Sequence, residues 1–259
     1  EVDIIETQLS EKLKNSLLSY MDQPDIWILP TICTDNESKN SGEFNNKKKE
    51  KKSLNIDDII QTPENMFIMA PPQFGLSALS HFICLRSWQI NQSKVFIHID
   101  TDNIRADTNQ LVRHVNSQLV SLGKTLKDLS CIILDGWSEH NNKKCQLLKL
   151  LANNEMYKDI PFIVMKTQDG GMFSTNYYTS LDVEREFKKN YLHSLSRASI
   201  RKIVIQYYEG RVVDIDIMLE NVLSDLHVLN LHRTPLNCIS ILKASEMDFE
   251  DSPVNRTEM

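Results

Sequence analysis

The hydrophobic positions of this chain fall into two regimes. Over residues 8–21, Leu9, Leu13, Leu17, Leu18 and Met21 recur close to the spacing of one helix face, which predicts a helix. Residues 26–30, Ile-Trp-Ile-Leu-Pro, are short and apolar and read as an edge strand. Residues 36–53, NESKNSGEFNNKKKEKKS, are polar and lysine-rich, the composition of a solvated or disordered linker.

From residue 65 the pattern changes. Five apolar runs, Met66–Ala70, Val95–Asp100, 131–135, 162–165 and a weaker one at 191–192, are too short for helices and read as strands. Amphipathic stretches near 77–90, 107–122 and 143–154 separate the first four. Such alternation predicts a mostly parallel sheet covered by helices on both faces. Gly170 and Gly171 open a polar stretch that reads as a loop. Residues 199–208, 214–226 and 234–245 then read as helices with no strand between them, a small helical subdomain after the sheet. The expected organisation is a helical and linking segment over 1–35, a flexible linker over 36–56, an α/β core over 57–195 and, over 196–259, a helical lid and the start of a truncated downstream domain.

Composition narrows the function classes. Hydrophobic residues at 41% can fill a core of ordinary size, and a net charge of −6 supplies no general basic field for nucleic acid. No apolar run approaches the roughly 18 residues that span a bilayer, and no signal peptide is visible. Five cysteines without paired spacing read as reduced thiols of a cytoplasmic protein. The seven histidines show no ligand spacing, so His81, His193 and His232, each in a partly apolar segment, read as structural. The start at Glu1 without methionine, and Asn255 and Glu258 at helix-start spacing near the end, lead us to expect further domains on both sides.

Two segments carry candidate chemistry. The first strand runs into Ala70-Pro71-Pro72-Gln73-Phe74-Gly75-Leu76-Ser77-Ala78. Aligned with G-x-x-x-x-G-K-[ST], Gly75 falls on the second glycine and Ser77 on the hydroxyl; Ala70 replaces the first glycine and Leu76 the lysine. Strand, tight loop and helix are the context in which backbone N–H groups and a helix N-terminus hold a phosphate. Pro72, Phe74, Gly75, Leu76, Ser77 and Ala78 are therefore candidate phosphate-loop residues. The third strand ends Cys131-Ile132-Ile133-Leu134-Asp135-Gly136-Trp137-Ser138-Glu139, four apolar residues and then a carboxylate, as in a Walker B strand. Asp135 and Ser77 are candidate Mg²⁺ holders, and Glu139 is a candidate base for orienting a water.

With these motifs in this order, the chain resembles the STAND class of P-loop NTPases, especially NACHT-like members in bacterial defence proteins. LDGWSE is similar to that family's LDGLDE, with Ser138 in place of the second aspartate. The segment ending at Gln168 resembles the one that usually ends in a sensor arginine. Leu231-His232-Arg233-Thr234-Pro235 resembles the lid motif that touches adenine and ribose, which makes Pro235 a candidate contact. The resemblance covers about residues 60–245 and implies an α/β P-loop core with a C-terminal helical lid, ATP or ADP with Mg²⁺, and homo-oligomerisation on activation. It also implies effector and sensor domains in the flanks and a role in antiviral defence. The lost lysine, first glycine, second acid and sensor arginine make weak or absent hydrolysis the expectation. Lys166, Arg197, Arg201 and Arg233 are open as substitute charges. A nucleotide-dependent switch is the first reading; the alternative is a pseudo-NTPase scaffold that binds no nucleotide, with Leu76 filling the phosphate position.

Overall fold

The computed structural model describes residues 2–17, 26–34, 53–168 and 185–246. A seven-stranded sheet in the order β2-β1-β7-β3-β6-β5-β4 is its centre. Five of the strands are parallel: β3 (Met66–Ala70), β4 (Val95–Asp100), β5 (Leu129–Trp137), β6 (Phe162–Thr167) and β7 (Lys188–Leu192). These contain the five apolar runs that periodicity singles out. All five residues of β3 are buried, because β6 and β7 flank it and helices follow the first three of the parallel strands. Register sets Ala70 beside Thr167 and Asp100 beside Asp135, so three strand ends reach the same edge as the loop after β3.

The edge strand is not where the sequence pattern puts it. Residues 26–30 form no strand; the antiparallel edge is β1 (Ile32–Cys33), paired with β7 and with β2 (Ser53–Leu54). Ile26 and Ile28 instead enter the core of the helical unit. A short alternating run can bury its apolar side against any apolar surface, and here that surface belongs to helices. Apart from Ser53, the lysine-rich stretch lies outside the described residues, as do the Gly170–Ser180 stretch in full, Asn255 and Glu258.

Contacts divide the chain into two compact units. The first comprises the described parts of Glu1–Ser16, Ile32–Pro72 and Leu76–Leu192. In it, α1 (Val2–Leu17) buries Leu9 and Leu13, and α3 (Leu76–Ile90), α4 (Thr108–Ser121) and α5 (Asn142–Ala152) alternate with the strands. Asp107 and Asn141 cap α4 and α5 by accepting N–H bonds from Gln110 and from Lys143 and Lys144. A six-residue helix that the periodicity does not predict, α2 (Ile56–Gln61), is capped by Asn55 and tied to α3 by a bidentate Arg86–Asp57 pair at 2.9 and 2.8 Å. One and a half turns are too few to show a helical period.

The second unit comprises the described parts of Leu17–Thr31, Gln73–Gly75 and His193–Met259. Its helices are α6 (Arg197–Tyr207), α7 (Ile215–Val228) and α8 (Pro235–Glu246), packed around Ile200, Ile203, Val204, Leu219, Val222, Cys238 and Ile241. Among the described residues no helix is long and apolar enough to cross a membrane.

Candidate functional site

The loop after β3 turns sharply because two of its residues take left-handed backbone angles, Gln73 at φ 68° and Gly75 at φ 83°. A Cβ on Gly75 would meet no protein atom within 4 Å, so within the chain this glycine serves the backbone turn. The loop delivers Leu76 as the first residue of α3; Leu76 and Ala78 are buried, whereas Pro72, Gly75 and Ser77 are exposed. Gln168 follows β6 and donates its backbone N–H to the Ala70 carbonyl at 2.7 Å, tying the base of the loop to the neighbouring strand.

Ser77 and Asp135 meet. The Ser77 side chain lies near enough to the Asp135 carboxylate to help hold its pKa down, which puts that carboxylate beside the start of α3. Oδ1 of Asp135 accepts the Gly136 N–H at 2.8 Å, and Oδ2 lies 3.5 Å from His98 Nε2. Burial works to raise the Asp135 pKa; the polar groups of His98, Ser77 and Gly136 beside it outweigh that and hold the carboxyl below the ordinary aspartate value. The Asp135 carbonyl accepts both the N–H and the hydroxyl of Thr101, at 3.1 and 2.7 Å. Gly136, at φ 68°, then turns the strand, and Lys144 donates to its carbonyl at 2.6 Å while pairing with Asp102.

Glu139 is engaged by a cation: Lys166 Nζ, near the end of β6, lies 2.6 Å from Glu139 Oε2 and 5.8 Å from the centre of the Trp137 ring. Of the four cations considered as substitutes for the missing lysine, Lys166 pairs with Glu139, Arg197 with Glu220 and Arg201 with Asp216. Arg233 is exposed.

In the second unit, Pro235 opens α8 and Thr234 caps it, its hydroxyl accepting the Asn237 N–H at 3.2 Å. Phe74 and the exposed His232 stack edge to face at 5.6 Å. His193 is buried, with its backbone N–H on the Thr31 carbonyl. All five cysteines are free, and burial pushes the Cys84 and Cys238 thiols up to about 12, far from a nucleophile's range.

Sequence reasoning missed His98. Its signal is a polar residue in the middle of a strand whose neighbours Ile97 and Ile99 are buried. Among the described residues no three His, Cys, Asp or Glu side chains gather to hold a metal. The pair that does meet, a hydroxyl and a carboxylate at a helix start, offers two hard oxygens and fits a magnesium-like ion that keeps several of its ligands as water or phosphate.

No family model matches the sequence, and no curated protein matches it either. Solved structures do. The Aeropyrum pernix ORC1 protein in complex with DNA aligns at TM-score 0.50 and 12% identity, over 78% of this chain and 62% of that one. The chain has the P-loop NTPase fold. Weaker likenesses are the Aeropyrum pernix ORC2 protein in ADPNP–ADP complexes (TM-score 0.48, 14% identity, 71% of this chain and 57% of that one) and AMPPCP-bound DnaA from Aquifex aeolicus (0.43, 13%, 75% and 60%). This P-loop chain thus spans about three fifths of the length of those proteins.

Proposed function

We propose that the chain is a nucleotide-binding regulatory switch of a larger STAND-type signalling or defence protein, with weak or absent hydrolysis. The observation that carries the reading is the nearness of Ser77 to Asp135 at the end of a turned loop, a hydroxyl and a carboxylate brought together where the fold class binds phosphates. The backbone N–H groups of Gly75 to Ala78 would hold the phosphates of ATP or ADP, aided by the positive end of α3. Ser77 and Asp135 would hold Mg²⁺, which supplies charge neutralisation between phosphate oxygens. Gln168 lies beside the loop base, and Glu139 would orient a water once free of Lys166. Pro235 would contact the base from the lid. The core over 57–195, the lid over 196–259, homo-oligomerisation on activation, flanking effector and sensor domains, a cytoplasmic setting and a role in antiviral defence all belong to the same proposal.

Hydrolysis is expected to be slow because the leucine at position 76 brings no charge to the transferred phosphate. A switch tolerates that, since a ligand shifts a conformational equilibrium by its differential affinity and needs no covalent step.

The test is thermal melting with ATP and Mg²⁺. A ligand that binds the native state raises the melting temperature, by an amount set by its concentration relative to Kd. A rise with ATP and Mg²⁺ that is smaller in Asp135→Asn supports the switch. No shift at millimolar ATP favours a pseudo-NTPase scaffold, a reading supported by one observation of its own: Leu76, at the motif position of the lysine, is an apolar side chain only 9% exposed.

A further inference from the structure

Beside Asp135 the sheet carries a second polar side chain in a layer of apolar ones. His98 is the fourth residue of β4, between Ile97 and Ile99, and its side chain is 17% exposed. Burying an imidazole costs free energy unless its nitrogens are bonded. Here Nε2 faces Asp135 Oδ2 at 3.5 Å, and the ring lies against that of His81 on α3, centroids 4.2 Å apart. The His98 carbonyl accepts from Gln118 of α4 at 2.7 Å. Ring and backbone are thus held from two helices.

The other oxygen of Asp135 has its own partner, the Gly136 N–H. The terminal torsion of an aspartate is broad when left to itself. Separate partners on Oδ1 and Oδ2 restrict it, and the Ser77 hydroxyl then meets a carboxylate of defined orientation.

We propose that His98 is the positioning residue of this site: by holding Asp135 Oδ2 from β4, it fixes the orientation in which the carboxylate and the Ser77 hydroxyl receive a divalent cation. This rests on the reading of the site as one for a nucleotide with a divalent cation, and deepens it. His98 acts through Asp135 and touches neither nucleotide nor phosphate. Removing such an outer partner typically lowers metal affinity by about ten- to a hundredfold. A packing role behaves differently, because an apolar residue of similar size would fill the same space.

Wild type, His98→Leu, His98→Gln and Asp135→Asn separate the roles. Binding of Mn²⁺ alone is read from the electron paramagnetic resonance of the free ion, and ATP affinity is measured by calorimetry with and without Mg²⁺. His98→Leu is expected to weaken Mn²⁺ binding about tenfold and to remove most of the Mg²⁺-dependent gain in ATP affinity. Its metal-free ATP affinity and melting temperature should stay near wild type. His98→Gln, whose amide can still donate, should recover much of the loss, and Asp135→Asn marks the floor. If His98→Leu does not fold, His98→Phe, which keeps a ring against His81, carries the same comparison. Equal Mn²⁺ affinity and equal Mg²⁺ gain in wild type and His98→Leu overturn the positioning role and leave the nucleotide reading standing. His98-dependent Mn²⁺ binding without ATP binding keeps the positioning role and overturns the nucleotide reading. A folded wild type that binds neither overturns both.

Discussion

The carboxylate of Asp135, near the end of β5, lies beside Ser77 in the first turn of α3 and 3.5 Å from His98 Nε2 on β4. Two elements far apart in the chain thus converge at the edge where the loop after β3 turns. What that edge can bind depends on the side chains around the pair.

Leu76 is the residue to change first. Leu76→Lys would place an ammonium at the start of α3, beside the phosphate position. A charge-assisted contact contributes about 1.5–3 kcal/mol, so ATP affinity is expected to rise about tenfold or more. The wild-type leucine is buried, so the melting temperature without nucleotide should fall slightly as an apolar contact is lost. Calorimetry and melting of both proteins test this; unchanged affinity in a folded Leu76→Lys protein would mean that the loop does not present the side chain to a phosphate.

Glu139 and Lys166 should behave as one unit. Their side chains are 29% and 11% exposed, so either single change removes one half of a partly buried ion pair. Glu139→Gln and Lys166→Met are each expected to destabilise the fold. The double variant should lose less than the sum, with a coupling of about 1–2 kcal/mol. Denaturant unfolding of the four proteins gives the cycle. Additive losses would show that the pair contributes no net coupling. If the chain hydrolyses ATP at all, Glu139→Gln should abolish turnover while changing ATP affinity little.

His81 should make stability depend on pH in a defined window. Burial, followed by the neighbouring His98, pushes its pKa down from 6.5 to about 4. The unfolded chain therefore takes up a proton that the folded one refuses. The contribution is complete above pH 6.5 and is lost progressively as pH falls towards 4, on the order of 2–3 kcal/mol in all. His81→Phe keeps a ring at this position without the titration. Its unfolding free energy should fall less steeply than wild type between those two pH values; parallel curves would show that His81 is not the group responsible.

Gly136 is the glycine of this site that a side chain would disturb most. Its φ is 68°, and an added Cβ would lie 3.3 Å from Asp102 Oδ2 and 3.4 Å from Thr101 Oγ1. Gly136→Ala is expected to cost about 1–2 kcal/mol from the left-handed backbone alone. That corresponds to a melting temperature lower by about 2–8 °C for a chain of this size. It should also weaken the Lys144 bond to the Gly136 carbonyl, so Lys144→Met should cost less in Gly136→Ala than in wild type.

The element plan was legible in the sequence because periodicity is local. Five apolar runs became the five parallel strands, and the helices around them follow the 3.6-residue spacing of residues such as Leu111, Val115 and Leu119. Ser77 and Asp135 were legible as candidates because one follows a strand and its turn and the other ends an apolar run, motifs carried by a few adjacent residues. Only the tertiary structure decided the rest. Residues 26–30 have a strand's composition, yet Ile26 and Ile28 pack among helices, because burial depends on which apolar surface is near and not on the run itself. Lys166 could have faced a phosphate or a carboxylate until strand order brought it, across 27 residues of sequence, to Glu139. His98 is a polar residue within an apolar strand; its partner Asp135 is 37 residues away, and only the pairing of β4 with β5 makes them neighbours. A local pattern fixes which face of an element is apolar, whereas the identity of a polar group's partner is a property of how the elements are ordered in space.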